Sequence, residues 1–392
     1  MKKSISTLLL LAAMSSSAVV FTTSCSDKDP ITENPTGSFE LKRDDFKGEI
    51  RSGEHVTLES GVYKLTGQLV VRDGGKLTIK PGVIVEATTF VAGQEIRYIA
   101  VAQGGQIFVE GTKDKPVVMT STAKVPQSWG GLVLCGKAPT NRAAAGQTAS
   151  SEVAELAYGG SVLNDNSGSV RYLQILYSGY SYNNEKEFNG LSMFGVGSGT
   201  TIEYVQVHEG SDDGFEWFGG TVNTKYLVST SNEDDQFDWT EGWNGSNENW
   251  YGKEGLGRGN RGIEADNNGD NHTATPVSSP TIKNLTLIGL ADSFNGTEQQ
   301  GIKLRVGTAG ILENVVLSNW KVGLDVQHDA TLAHIGTDKL KVSKVKFDNV
   351  DQKVAGVSEA NLSKFYSEDN TATGAGAGTA TPEWAKGWTV GL

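Results

Sequence analysis

The chain has 392 residues, a net charge of −12 and 37% hydrophobic residues, enough apolar material for a large core. Forty-nine glycines against nine prolines suit a fold of short strands and frequent tight turns, because glycine reaches left-handed backbone angles without steric cost. Heptads and long amphipathic helical patterns are absent, and the acidic balance disfavours nucleic acid and anionic lipid as partners while making divalent cations the natural counterions.

The first residues read as an export signal over 1–24: Lys2 and Lys3, an apolar run from Leu8 to Met14 extended by Ala18 to Phe21, then Thr22-Thr23-Ser24-Cys25. The run is too short and too broken for a membrane span. Ending in small residues before a cysteine, it resembles a bacterial lipoprotein signal, which implies that Cys25 becomes the acylated first residue; an ordinary cleavable signal is the alternative. Ser26-Asp27-Lys28-Asp29 resembles the short acidic tag that sends lipoproteins of Bacteroidetes to the outer face of the outer membrane. Residues 25–39, with Pro30 and Pro35, then form a flexible tether, so contact with the membrane runs through the lipid alone. With Cys25 acylated, Cys135 has no disulfide partner, and its apolar surroundings predict a buried, inert thiol.

From residue 40 the sequence predicts one elongated all-β domain, a parallel β-helix running to 392. Residues 40–60 form a capping turn over the open edge of the first sheet. Residues 65–87 and 99–121 read as the first full turns, punctuated by Asp73-Gly74-Gly75 and Pro81-Gly82, and 143–160 as a loop of small residues. Six stretches then repeat one pattern: Gly190-Leu191-Ser192-Met193, Gly214-Phe215-Glu216-Trp217, Gln236-Phe237-Asp238-Trp239, Gly262-Ile263-Glu264-Ala265, Gly301-Ile302-Lys303-Leu304 and Gly323-Leu324-Asp325-Val326. Their intervals of 22 to 39 residues suit one turn of a solenoid. A second column with the same alternation accompanies them at 170–175, 202–207, 222–228, 282–287, 312–317 and 342–347. Strands this short cannot bury an apolar face alone, so coils stacked about 4.8 Å apart must supply one another's core and hydrogen-bond partners.

Between Glu209 and Asp270 fourteen acidic residues face four basic ones. Two loops, one with Asp212 and Asp213 and the other with Asp234 and Asp235, each precede a copy of the repeat, which places them at the same corner of neighbouring coils. Calcium, with its all-oxygen coordination, would relieve the repulsion among Asp212, Asp213, Glu216, Asp234, Asp235, Asp238 and Glu264; a solvated acidic face with sodium around it is the alternative. Strand parity turns Phe215, Trp217, Phe237, Trp239, Ile263 and Ala265 inward. It turns Glu216, Asp238, Glu264, Lys303 and Asp325 outward as a ladder, in which Lys303 neutralises Glu264 and Asp325. Loops near 242–260 and 266–280 project. The first carries Trp243, Trp250 and Tyr251 among Asn and Glu, where rings suit stacking on a sugar face or docking on a partner protein, unless the loop folds back over the sheet. Residues 361–380 read as poorly ordered, with Trp384 and Trp388 returning to cap the last turn.

The segment Asp212-Asp213-Gly214-Phe215-Glu216-Trp217-Phe218-Gly219-Gly220, set in this repeat, resembles the pectate-lyase-like right-handed parallel β-helix superfamily, and in particular outer-membrane lipoproteins of Bacteroidetes, over about residues 60–350. The resemblance implies the architecture, which serves lyases, hydrolases, adhesins and binding proteins alike. A calcium-dependent polysaccharide lyase would hold its metal on Glu216, Asp238 and Glu264 and use Lys303 or Arg305 as the base. Polygalacturonase members carry a Gly-His-Gly segment that this chain lacks, which argues against hydrolysis. None of the five histidines stands in a metal-ligand or triad spacing. The sequence therefore points to a monomeric, lipid-anchored protein of the outer membrane, exposed at the cell surface, that binds a glycan or an outer-membrane protein partner on a calcium-stabilised β-helix. The alternatives are a calcium-dependent lyase acting on an acidic glycan and an accessory subunit of an outer-membrane transporter or adhesin.

Overall fold

Short alternating strands can complete their hydrogen bonds only against copies of themselves, and the computed structural model shows how the chain arranges this. It describes residues 38–392 apart from 90–92, 184–185, 256 and 292–297. Cys25, with the export signal, lies outside the described residues. Within the unit Phe39–Leu392, one sheet of 22 strands is joined by parallel pairings throughout. Each strand bonds to the coil before and the coil after: Phe215–Phe218 lies between Leu191–Phe194 and Asp235–Thr240, and Thr201–His208 between Gly168–Leu176 and Asn223–Thr230. The result is the all-β parallel β-helix, a single elongated solenoid.

Each strand of the second column bends at one residue in the left-handed region, and these residues stack. Tyr172, Tyr204, Tyr226, Asn249, Asn284, Asn314 and Lys344 all have φ between 50° and 62°. Left-handed backbone is unfavourable for most side chains but tolerated by asparagine, and stacking offsets part of the strain. The rings of Tyr172, Tyr204 and Tyr226 lie 4.4 Å apart and nearly parallel. Asn284 donates to Asn249 at 3.1 Å and Asn314 to Asn284 at 2.8 Å, so side-chain amides continue the ladder where the rings stop.

Residues flanking each bend turn inward and fill the core. Leu173, Val205, Leu227, Trp250, Leu285, Val315 and Val345 share one register and are fully buried. Phe215, Trp217, Phe237, Trp239, Ile263 and Ala265 take the inward parity expected of them. Trp217 stacks on Trp250 at 4.9 Å and on Trp243 at 4.6 Å.

That packing corrects the reading of a projecting aromatic loop near 242–260. Ser246–Lys253 is a strand in register with Asn223–Thr230 and Thr281–Ile288. Trp243 and Trp250 are core residues, their indole N–H groups donating to the Val222 carbonyl at 3.2 Å and to Thr224 at 3.0 Å. Tyr251 is buried on the other side of the sheet, against Val228, Ala375, Ala385 and Trp388. None of the three is available to a ligand. The polar run that suggested a loop is a strand whose bend residue, Asn249, follows the tyrosines of earlier coils.

The C-terminal segment also departs from expectation. Trp388 packs edge-on against Tyr172 and Tyr204, and Trp384 against Tyr226, so the tail runs back along the tyrosine stack rather than over the last coil. Its Gly/Ala run is bonded to the coils: Asn314 accepts from the Thr373 and Gly374 amides at 2.9 and 3.1 Å, and Thr286 accepts from the Ala375 amide at 3.0 Å. Gln206 accepts from the Val390 amide at 2.9 Å.

Candidate functional site

The sheet face turned away from the core changes character along the solenoid. One column reads Val70, Ala100, Val133, Ser192, Glu216, Asp238, Glu264, Lys303, Asp325, each residue in register with the next. Its apolar start is covered: Val70, Ala100 and Val133 belong to a second hydrophobic cluster with Val153, Leu156, Tyr158 and Phe188. These covering residues come from 143–160 and from the segment before Asn189. Cys135 is buried in the same cluster, where burial pushes its thiol up to about 12. Beyond Ser192 the column turns acidic.

The two acidic corners then converge on it. Asp235 donates its backbone N–H to Asp213 Oδ1 at 2.8 Å, which locks one corner above the other. Carboxylate oxygens of Asp212, Asp213 and Asp234 fall within 4.8 Å of one another, as do those of Asp213, Glu216 and Asp238, and those of Asp235, Asp238 and Glu264. The three groups share members, so the structure brings all seven acids together in one continuous band.

Compensation is uneven along the band. At the Glu264 end, Arg261 pairs with Glu264 at 2.8 Å, with Asp235 at 3.2 Å and with Glu298, while Arg305 pairs with Asp266 at 2.7 Å and with Glu264. No ion pair reaches Asp212, Asp213, Glu216, Asp234 or Asp238 among the described residues. Burial pushes the Asp213 carboxyl well above the usual carboxylate range, and the charges of Asp212, Asp235 and Asp238 push it further. Glu216 is raised by burial and by Asp238, and Asp238 by burial and by Glu264.

Oxygens without donors mark the same region. Asp238 Oδ1 is buried and accepts no hydrogen bond. Asn189, 2% exposed, donates to Glu216 at 2.5 Å and leaves its own Oδ1 unpartnered among these acids. Glu254, 4% exposed, accepts from Gln236 at 3.1 Å through one oxygen and leaves Oε1 bare. Buried acceptors are normally paired, and the clustered carboxylate oxygens of Asp213, Glu216 and Asp238, with the bare Asp238 Oδ1 among them, match the all-oxygen donor set of a hard cation such as calcium.

Two expectations for the ladder are revised. Glu264, Lys303 and Asp325 face away from the core but are buried rather than solvated, with ionic neighbours covering Glu264 and Lys303. Lys303 pairs with Glu298 at 2.6 Å, not with Glu264 or Asp325, and Asp325 accepts from Gln327 at 2.8 Å. Both Lys303 and Arg305 are thus held in ion pairs; the Glu298 carboxyl is lowered to about 2 by its bonds to Lys303 and Arg261. Sequence reasoning missed Asn189 and Glu254. Asn189 immediately precedes a repeat copy and Glu254 follows a strand, positions where only the stacking reveals proximity to acids.

Comparison with known proteins agrees with this architecture. No curated protein and no solved structure matched the chain. A family model described as a pectate-lyase-like beta helix domain matches residues 48–389. The chain accordingly belongs to the pectate-lyase-like β-helix family.

Proposed function

We propose that this protein is a lipid-anchored surface protein of the outer membrane with a binding role, whose acidic band holds calcium. The observation that carries the reading is the pair of buried, donor-free oxygens on Asn189 and Asp238 beside Asp213, Glu216 and Asp238, carboxylates that make no ion pair among the described residues. A calcium ion among Asp213, Glu216 and Asp238 would satisfy those oxygens and relieve their mutual repulsion. Glu216 and Asp238 are only partly buried, so the ion would keep a side open to oxygens of a bound ligand. The anchor rests on the signal ending at Cys25.

The lyase alternative has less support, since the two candidate bases, Lys303 and Arg305, are engaged by Glu298, Glu264 and Asp266. A general base must be neutral and free to take a proton, and nothing in the ion pairs favours that state.

The test is thermal unfolding with chelator and with added calcium. Saturating a native-state site at about 100 times its Kd adds about 2.7 kcal/mol of stability, so the melting temperature rises by several degrees with calcium. Replacing Asp213 and Asp238 by Asn removes most of that rise. An identical melting temperature in both conditions overturns the cation reading.

A further inference from the structure

Ahead of its bend residue, each strand of the second column carries one charged side chain on the face turned to solvent. Stacked in register, these read Glu110, Arg171, Glu203, Lys225, Glu248, Lys283 and Glu313. Lys80 extends the series, bonded to Glu110 at 2.7 Å. Glu59 extends it once more, one residue beyond Leu58, as Lys80 stands one beyond its register partner Ile79. The sign alternates at every step, and every one of these side chains is exposed or half-exposed.

Alternation has a reason within the chain, since like charges stacked about 4.8 Å apart would repel. Arg171 and Glu203 close to 3.0 Å along the column, and Lys225 and Glu248 to 3.3 Å. Ion pairs this exposed add little to stability, and each charged group keeps an outer side in solvent. Beside the column runs a row of small polar side chains, Ser169, Thr201, Asn223, Ser246 and Thr281. Row and column together line a groove of about 330 Å³ between Asn223 and Lys283, with room for the ends of incoming side chains. The C-terminal strap bonds to Gln174, Gln206, Thr286 and Asn314, at or beyond the bend, and leaves this face open.

An alternating series becomes its own complement when it is turned end over end and shifted by one coil. A two-fold axis along the strands, midway between Glu203 and Lys225, brings Glu203 against Lys225 of a second copy. It likewise opposes Arg171 to Glu248, Glu110 to Lys283 and Lys80 to Glu313, over a length of about 34 Å. Each of these charges then meets the opposite sign across the interface as well as along its own column. The contact is isologous and closes at two copies. Two copies turned the same way up would instead oppose like charges coil by coil, so the pattern selects the antiparallel arrangement.

We infer that this face is an interface for a second copy of the chain, packed antiparallel, in place of the monomer expected from the sequence. A contact this polar makes a transient dimer rather than an obligate one. The inference goes beyond the binding role proposed above and uses none of the seven acids of the cation band. One consequence rests on the lipid anchor of that reading: antiparallel copies hold their first coils at opposite ends, so the molecules that pair stand on facing membranes.

Sedimentation equilibrium of the whole chain, with Cys25→Ser to keep it free of lipid, tests the interface. A dimer should form at low salt and dissociate as salt screens the exposed charges. Lys225→Glu and Glu203→Lys should each weaken dimerisation at least about tenfold by setting like charges opposite one another. An equimolar mixture of the two variants should dimerise again, since each supplies the charge that the other lacks, and unchanged melting temperatures would show their coils intact. A chain that stays monomeric at about 1 mM, a dimer indifferent to salt and to both substitutions, or a mixture that fails to recover overturns the inference. If the dimer forms but vesicles carrying the lipidated chain do not adhere, the anchor reading falls and the interface stands.

Discussion

At the scale of single residues, the band of acids makes a prediction whose sign differs from that of ordinary ion-paired carboxylates. Asp213, Glu216, Asp235, Asp238 and Glu254 are all raised in the folded protein, each first by burial and then by acidic neighbours. Above the ordinary carboxylate value near 4, the native state keeps protons that the unfolded chain releases. Stability therefore falls as pH rises through that window and is lowest above the raised values. In chelator the melting temperature should drop as pH rises above the ordinary carboxylate value near 4, and calcium should flatten or reverse the trend by compensating the ionised form. A melting temperature that climbs with pH in chelator would contradict the geometry. Which acids share the face was legible in the sequence, because parity fixes it. How deeply they are covered was not, since Asn189 and Glu298 reach the band from outside the strands, where no periodicity announces them.

Elements show where pattern reading works and where it stops. The repeat copies were legible because glycine or a polar residue precedes a strict apolar alternation. The strand Ser246–Lys253 was not, although it holds the same positions as Asn223–Thr230. Its two Asn residues and Glu248 look like a loop to any local criterion, and only alignment on the bend residue shows Asn249 replacing Tyr226 and Trp250 replacing Leu227. Tertiary context decides such a segment: a buried indole with its N–H bonded to Thr224 outweighs weak strand propensity. Trp250→Ala should consequently destabilise by about 3–5 kcal/mol, read as a shift in urea midpoint. A silent substitution would mean that residue 250 lies on a surface loop after all.

For the molecule as a whole, stacked coils would ordinarily communicate only with their nearest neighbours. The C-terminal strap changes this by touching several coils at once, through Gln174, Gln206, Thr286 and Asn314. Deleting residues 369–392 should lower the melting temperature and speed amide exchange along the whole bend column, from Tyr172 to Asn314. Exchange unchanged at Gln174 and Gln206 would show that the strap is passive. The calcium response should survive the deletion, because among the described residues the acidic band makes no hydrogen bond or ion pair with the strap.

The strap has a temporal side as well. It reaches Gln174 from Trp388, 214 residues further along the chain. At about 5–20 residues per second of synthesis, the tyrosine rings exist for on the order of 10 to 40 seconds before their cover has been made. Until residues 384–388 have been made and have docked, the stacked rings of Tyr172, Tyr204 and Tyr226 lack the cover that Trp384 and Trp388 give them.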